Sequence, residues 1–301
     1  MNDIPAEVLQ MAQRGPAWAE WVKALAGVRR DVLAQWQLTP DGDATHGFCS
    51  LVIPVRTAEG QEAMLKLAFP DEESEHEALA LAQWEGAAAV RLLTADPHRR
   101  ALLLERLEPR DLGELWDIEA CQIVGGLYGS LHRPASPQYR RLTACVDRWT
   151  AELAALPRSA PLPRRLVEQA VSLGRSFVAD AESDGTLIHS DLHYANVMAR
   201  AGNWVAIDPK PLSGDPHYEI APMLWNRLHE LSGRMRDGIS QRFFTLVDAA
   251  DLDEERARDW VVVRMLHNAL WRLQDPPGAR RLIATDDWLT ICVSVAKAVQ
   301  E

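Results

Sequence analysis

The 301 residues are enough for one large domain or two lobes, and 47% hydrophobic with 25% charged residues excludes wholesale disorder. The formal charge is −11, and basic residues gather only in scattered pairs at 29–30, 99–100, 140–141, 164–165 and 280–281. No basic face for a nucleic acid is therefore expected.

In chain order, residues 4–34 read as one or two amphipathic helices, broken near Gly15-Pro16. The period then changes. Segments 48–56 and 62–69 read as strands about a turn at 57–60, hence a hairpin. Residues 71–84 return to helix, opening on Asp71, Glu72 and Glu73, whose charges suit the positive end of the helix dipole, and stopping at Gly86. Segments 90–93 and 101–107 are two further strands with a turn at 96–100. After Pro109 the pattern is helical at 118–132, 138–156 and 162–182, then β-rich over 186–208, then helical at 216–230, 238–250, 253–274 and 286–300. Antiparallel strands followed by helices around one β island predict a two-lobed α+β protein. The lobes are residues 1–107, with leading helices at 4–34, and residues 108–301.

Cys49, Cys121, Cys145 and Cys292 lie far apart with no C-x-x-C, so reduced, buried thiols are expected in place of a zinc ribbon or redox pair. The opening MNDIPAEVLQ lacks the basic-then-apolar order of a secretory signal, and no stretch approaches the ~20 apolar residues of a membrane span. A cytoplasmic location without membrane attachment is expected. The oligomeric state is not legible. Eleven tryptophans at scattered positions read as core and helix-seam residues.

The β island carries the chemistry. His189-x-Asp191-x-x-x-x-Asn196 follows a short apolar run, so Asp191 stands where a strand gives way to a loop. Asn196 is read as opening the next strand, 196–200, and a turn at 201–203 leads to the strand 204–207, ending in Asp208-Pro209. Pro209 is expected to hold Asp208 at extended backbone angles. Two carboxylates and an amide at one edge of a small hairpin are what phosphoryl transfer needs. One carboxylate orients or deprotonates the attacking hydroxyl, while a carboxylate and an amide oxygen hold Mg²⁺ against the phosphates. The assignment is Asp191 as base or hydroxyl positioner, with Asn196 and Asp208 as metal ligands. His189 reads as a structural hydrogen-bonder and His193 as a loop residue. A hydrolytic metal site from His189, Asp191, His193 and Asp208 lacks the helical spacing such sites use.

The strand-rich part supplies the nucleotide. On the strand 62–69, Leu65, Leu67 and Phe69 point one way and Met64, Lys66 and Ala68 the other. A lysine among so many apolar neighbours must meet a counter-charge or a phosphate, or else snorkel to water. Glu77, on a helical stripe with Leu81 and Trp84, is the expected partner, holding the ammonium at the ATP phosphates; Glu75 is the runner-up. The loop 41–47, with Gly42 and Gly47, is the expected cover over the phosphates, and backbone groups of Glu105 and Leu107 are expected at the adenine edge.

These stretches resemble the aminoglycoside/hydroxyurea resistance kinases, a branch of the protein-kinase-like fold that includes streptomycin 6-phosphotransferases. The resemblance rests on Ala63-Met-Leu-Lys-Leu67, Glu77-Ala-Leu79 with Trp84-x-Gly86, Val90-Arg-Leu-Leu93 with Asp96, and 101–107. It continues through Leu131-His-Arg-Pro134, the 189–196 motif, Ala206-Ile-Asp-Pro-Lys210 and Gly214-Asp-Pro216, spanning roughly 36–230. The Asp-Pro-Lys points to this branch and away from choline or fructosamine kinases. The resemblance implies a small antiparallel-sheet N-lobe and a mainly helical C-lobe, ATP as donor and Mg²⁺ as cofactor. It also implies a hydroxyl-bearing acceptor, foremost a cationic aminoglycoside such as streptomycin at its 6-hydroxyl, with antibiotic resistance as outcome. Another hydroxyl compound (hydroxyurea, an amino sugar or a metabolite) and a non-catalytic nucleotide-binding module are the alternatives. Candidates for the acceptor pocket are Lys210, Asp215, Glu219, Trp225, Glu230 and His267. Two departures stand out. Ser190 sits where the family often has Gly, and Tyr218-Glu219 where it usually has Tyr-Asp, an acid that anchors the next helix to the catalytic loop.

Overall fold

The computed structural model describes residues 4–275 and 283–300, so the basic pair 280–281 lies outside the described residues. The chain divides into two compact units, Met1–Pro109 with Arg200–Asn203, and Arg110–Ala199 with Trp204–Glu301.

The first unit opens with α1 (Ala6–Gln10), a 3-10 turn (Met11–Arg14) and α2 (Pro16–Gln35). Gly15, at φ +150°, and Pro16 at the first helical position make the break that the sequence predicts. Six strands follow: β1 (Thr39–Pro40), β2 (Thr45–His46), β3 (Ser50–Arg56), β4 (Glu62–Ala68), β5 (Leu92–Asp96) and β6 (Ala101–Glu105). They form one antiparallel sheet in the order β1-β3-β4-β6-β5, with β2 also on β3. The β3–β4 register sets Leu51 beside Leu67, Ile53 beside Leu65 and Val55 beside Ala63. That apolar face joins Ala101 and Leu103 in one core with Leu25 and Val32 of α2. Trp18 of α2 stacks on Phe69 with centroids 3.7 Å apart. Strand parity leaves Lys66, paired with Val52 and Leu102, on the opposite face.

Within this unit the helix read over 71–84 begins only at Glu77, as α3 (Glu77–Trp84). Asp71 Oδ1 takes the Ser74 N–H at 2.7 Å, an Asx-type turn that competes with helix over the acidic residues. The strand expected at 90–93 runs instead from Leu92 to Asp96, with a register shift between Leu92 and Thr94.

The second unit is mainly helical: α4 (Asp117–Leu131), α5 (Leu142–Ala154), α6 (Arg164–Ala179), α7 (Ala221–Trp225), α8 (Met235–Ala250), α9 (Glu254–Leu273) and α10 (Thr285–Ala298). Three short strands, β7 (Arg133–Pro134), β8 (Thr186–Ile188) and β11 (Leu212–Gly214), form a sheet in the order β11-β8-β7, and β9 (Val197–Arg200) and β10 (Asn203–Ala206) a hairpin. The core joins Leu142 and Val146 of α5, Phe177 of α6, Ile188, Leu212, Tyr218, and Trp260 and Val263 of α9. Phe177 and Trp260 stack at 3.8 Å. All four cysteines are buried, and none is in a disulfide.

Two helices read from the sequence are shorter here. The segment 138–156 becomes helical only at Leu142, because Arg140 O accepts the Ser213 N–H at 2.9 Å and holds the preceding residues against β11. The segment 216–230 is a 3-10 turn (Pro216–Ile220), then α7, then a second 3-10 turn (Leu228–Leu231). The interruption is Arg227, left-handed at φ +53°, whose guanidinium donates to Leu112 O at 3.1 Å and Leu115 O at 2.9 Å. Among the described residues no helix is long and apolar enough to cross a membrane.

Candidate active site

In the first unit Lys66 Nζ donates to both carboxylate oxygens of Glu77, at 2.7 and 2.8 Å, with the residues 7% and 3% exposed. The β3–β4 hairpin carries the lysine and the first turn of α3 the acid, so an 11-residue separation closes into a buried pair. Glu105 ends β6; its Oε1 accepts from Arg91 N at 2.7 Å and from Arg200 Nη1 at 2.9 Å. The Glu105 N–H itself donates to Arg91 O at 3.0 Å. Leu107 follows, half-buried, beyond the strand end. The loop 41–47 is not featureless: Thr45 and His46 pair with Val52 and Leu51.

The second unit builds the loop around Asp191 as a ladder. Beyond β8, His189 O accepts the Lys210 N–H at 2.9 Å, Ser190 Oγ donates to Lys210 O at 2.6 Å, and His189 Nε2 donates to Ile207 O at 2.9 Å. Asp191 N donates to His189 Nδ1 at 3.3 Å. These bonds settle the tautomer, with the proton on Nε2, and burial pushes the His189 pKa down, so the ring is neutral as well as fully enclosed. The structural part read for it agrees with this geometry.

Asn196 is the last residue of a 3-10 turn (Tyr194–Asn196) capped by His193 Nδ1; it does not open the strand, which begins at Val197. Its Nδ2 donates to Asp191 O at 2.9 Å, which leaves the amide oxygen to face away from that bond. Asp208 departs from expectation. Its φ is +56°, in the left-handed region, not extended. The chain must reverse between Ile207 and Lys210 so that both can bond His189, and that geometric demand overrides the proline's preference. Lys210 Nζ lies 3.8 Å from Asp208 Oδ1.

The residues nominated for an acceptor separate sharply. Glu219 has no exposed surface: Oε1 accepts the Ser190 N–H at 2.5 Å, Oε2 lies 2.9 Å from His132 Nε2, and its carbonyl accepts from Tyr128 Oη at 2.9 Å. It ties the end of α4 and the 3-10 turn (Pro216–Ile220) to the loop that carries Ser190 and Asp191. Asp215, 1% exposed, accepts from Arg256 Nε and Trp260 Nε1, both at 2.6 Å, and from His217. His267 lies wholly inside, its Nε2 3.3 Å from Thr150 Oγ1, and burial followed by the Arg264 charge takes its pKa down to about 3. Glu230 sits near the surface and forms a two-pronged pair with Arg227 at 2.6 and 2.8 Å. Trp225 is half-buried, edge-on to Trp288. The Ser190 hydroxyl bond, the His132–Glu219 bridge and Arg256 lay beyond sequence reasoning. Signals for the His132–Glu219 bridge stood in Leu131-His-Arg-Pro134 and in the acid of Tyr218-Glu219, and neither stretch names the other.

Among the described residues no three His, Cys, Asp or Glu side chains gather to hold a metal. A carboxylate from Asp208 and an amide oxygen from Asn196 are hard donors and few. That set fits Mg²⁺, which keeps several waters and takes its remaining oxygens from phosphates, and does not fit zinc.

The family model described as aminoglycoside/hydroxyurea antibiotic resistance kinase matches residues 35–276. The chain is similar to hydroxyurea phosphotransferase of Kitasatospora aureofaciens, 38% identical over 285 residues, which are 91% of this chain and 81% of that protein. It is similar also to streptomycin 6-kinase of Streptomyces glaucescens, 37% identical over 270 residues, 86% of each. In fold it matches a thermostable mutant of aminoglycoside phosphotransferase APH(4)-Ia in a ternary complex with ADP and hygromycin B, with TM-score 0.57 at 13% identity, covering 89% of this chain and 97% of that one.

Proposed function

The chain belongs to the aminoglycoside/hydroxyurea antibiotic resistance kinase family, and on that premise we propose that it moves the γ-phosphate of ATP to a hydroxyl of an aminoglycoside, with the 6-hydroxyl of streptomycin first. It is a phosphotransferase of the protein-kinase-like α+β fold. Residues 1–107 are read as the nucleotide lobe, residues 108–301 as the catalytic and acceptor lobe, and the protein as cytoplasmic, its action conferring resistance.

The observation that carries the reading is the ladder joining residues 189–190 to residues 207–210, the two segments that carry Asp191 and Asp208 in the chain. Asp191 orients the acceptor hydroxyl and takes its proton as the new O–P bond forms, while the bond from the γ-phosphorus to the β–γ bridging oxygen breaks and ADP leaves. Asn196 and Asp208 would hold Mg²⁺, which would neutralise charge on the phosphates. Lys66, aimed by Glu77, meets the α- and β-phosphates. With the Glu105 N–H already given to Arg91, the adenine edge falls to the Glu105 carbonyl and the Leu107 backbone. Lys210 and Glu230 stay as acceptor contacts; Asp215 and Glu219, buried and fully engaged, act as anchors.

A coupled ADP-release screen over streptomycin, other aminoglycosides, hydroxyurea and amino sugars tests this. Streptomycin should give turnover that Asp191→Ala abolishes with ATP binding intact, and Asp208→Ala should lose Mg²⁺-nucleotide affinity. Retained turnover in Asp191→Ala overturns the assignment. ADP release from none of the acceptors, despite tight ATP binding, leaves a nucleotide-binding module. A second reading, hydroxyurea or another small uncharged acceptor, is favoured by one observation: of the acids nominated for a cation, Asp215 and Glu219 are buried and committed to internal partners.

A further inference from the structure

We propose that Ser190 is a positioning residue for the metal half of the site: its hydroxyl sets the spacing between the loop of Asp191 and the segment of Asp208. This rests on the roles given above to Asp191, Asn196 and Asp208.

Ser190 immediately precedes Asp191, is 5% exposed, and holds φ +61° in the left-handed region that glycine tolerates far better. Asp208 is left-handed too, at φ +56°. Each of the two facing segments therefore carries a strained non-glycine residue at or beside a reacting carboxylate, and such strain persists only where surrounding bonds over-determine it. Those bonds converge on Ser190. Its N–H is taken by the buried Glu219 carboxylate at 2.5 Å, which fixes the loop to the 3-10 turn (Pro216–Ile220). Its Oγ donates to Lys210 O at 2.6 Å, two residues beyond Asp208. The Lys210 N–H returns to His189 O, so residues 189–190 and 210 are clasped in both directions. Removing the hydroxyl opens one side of this clasp while Glu219 and His189 still hold the backbone. The fold then survives, and what loosens is the placement of Asp208 relative to Asp191 and Asn196. A glycine would satisfy the backbone angle with less strain but could not make the bond, so the angle alone does not account for a serine here.

The two roles of Ser190 separate experimentally. In the full chain, Ser190→Gly relieves the left-handed strain and loses the hydroxyl, whereas Ser190→Ala keeps the strain and loses the hydroxyl. The measurements are the melting temperature without nucleotide and the Mg²⁺ concentration that half-saturates binding of AMP-PNP, followed by calorimetry, with Asp208→Ala alongside. Ser190→Gly is expected to melt near the parent and Ser190→Ala below it. Both are expected to need about tenfold more Mg²⁺, the scale on which supporting residues tune a metal site. Parental Mg²⁺ dependence in both Ser190 variants, or a shift confined to the variant that melts lower, overturns the proposal and leaves Ser190 a structural residue. If Asp208→Ala itself binds AMP-PNP with parental Mg²⁺ dependence, the metal assignment fails and takes this inference with it. If Asp208→Ala loses that dependence while both Ser190 variants keep it, only the role of Ser190 fails.

Discussion

Replacing Asp215 by asparagine separates an anchoring carboxylate from one that meets the acceptor. Asp215 is 1% exposed, its Oδ2 accepting from Arg256 Nε and Trp260 Nε1 at 2.6 Å, and its Oδ1 from His217 N at 3.0 Å and His217 Nδ1 at 2.6 Å. Asparagine keeps one acceptor oxygen and turns an amide group toward donors, so one side of this set meets donor against donor. Arg256 loses its buried counter-charge but retains Asp180 Oδ2 at 2.7 Å. Breaking a buried pair on one side costs about 3–5 kcal/mol, and the surviving Asp180 contact places this case near about 3 kcal/mol. With an unfolding entropy of about 2.1 cal/mol/K per residue over 301 residues, each kcal/mol shifts the melting temperature by about 1.6 °C, so it should fall by about 5 °C. Differential scanning calorimetry at neutral pH measures this, and the KM for whichever acceptor gives turnover in the ADP-release screen, taken alongside, should stay at the parental value. The pH dependence adds a second check. Burial pushes the Asp215 pKa up, but the hydrogen bonds from the His217 side chain and backbone, its charge and the Trp260 bond outweigh burial and hold the folded value below 3.8. The folded state thus takes up this proton less readily than the unfolded chain. The stabilisation is complete above the unfolded value and is lost as pH falls through the folded one, so parent and variant should converge in strong acid. An unchanged melting temperature together with a raised acceptor KM would refute the anchoring role and return Asp215 to the acceptor surface.

Glu77→Gln should weaken AMP-PNP binding and lower the urea midpoint, with about 3 kcal/mol lost as the 7%-exposed Lys66 gives up its carboxylate; unchanged binding and midpoint together would contradict the pairing. His267, whose pKa falls from 6.5 to about 3 on folding, stays neutral in the folded protein while the unfolded chain protonates, so its contribution is full above 6.5 and declines as pH drops toward 3. His267→Phe should therefore shrink the stability lost between pH 7 and pH 4, by up to about 3 kcal/mol in urea unfolding. Gly125→Ala would place a methyl 2.6 Å from Ala249 Cβ where α4 crosses α8, so overpacking of about 1–3 kcal/mol should appear in the same assay. The Cys121 and Cys292 thiols, both pushed by burial up to about 12, should resist a thiol reagent in the native state and react on unfolding.

Much of the site was legible because its signals are local. Alternation along 62–69 put Lys66 on the face opposite Leu65 and Leu67, and a helical stripe put Glu77 within its reach; the structure closes that pair at 2.7 Å. The spacing from His189 to Asn196 announced a loop at a strand end, and the bonds around Asp191 show one. Helix starts were less legible. An acidic opening at 71–73 satisfies the helix dipole and an Asx turn equally well, and the turn prevailed.

Residue types and short-range periodicity by themselves determined the α+β class, the strand faces and the motif of Asp191, Asn196 and Asp208, because parity, helical period and loop position are properties of neighbours in the chain. Which acids are buried was decided only by tertiary structure. Glu219 meets Ser190 across 29 residues and Asp215 meets Arg256 across 41, and nothing in either carboxylate's own neighbourhood says whether it will face water or a distant donor. The same holds for the left-handed backbone at Ser190 and Asp208. Neither residue prefers it as glycine would, and it arises because bonds from separate segments must close at once.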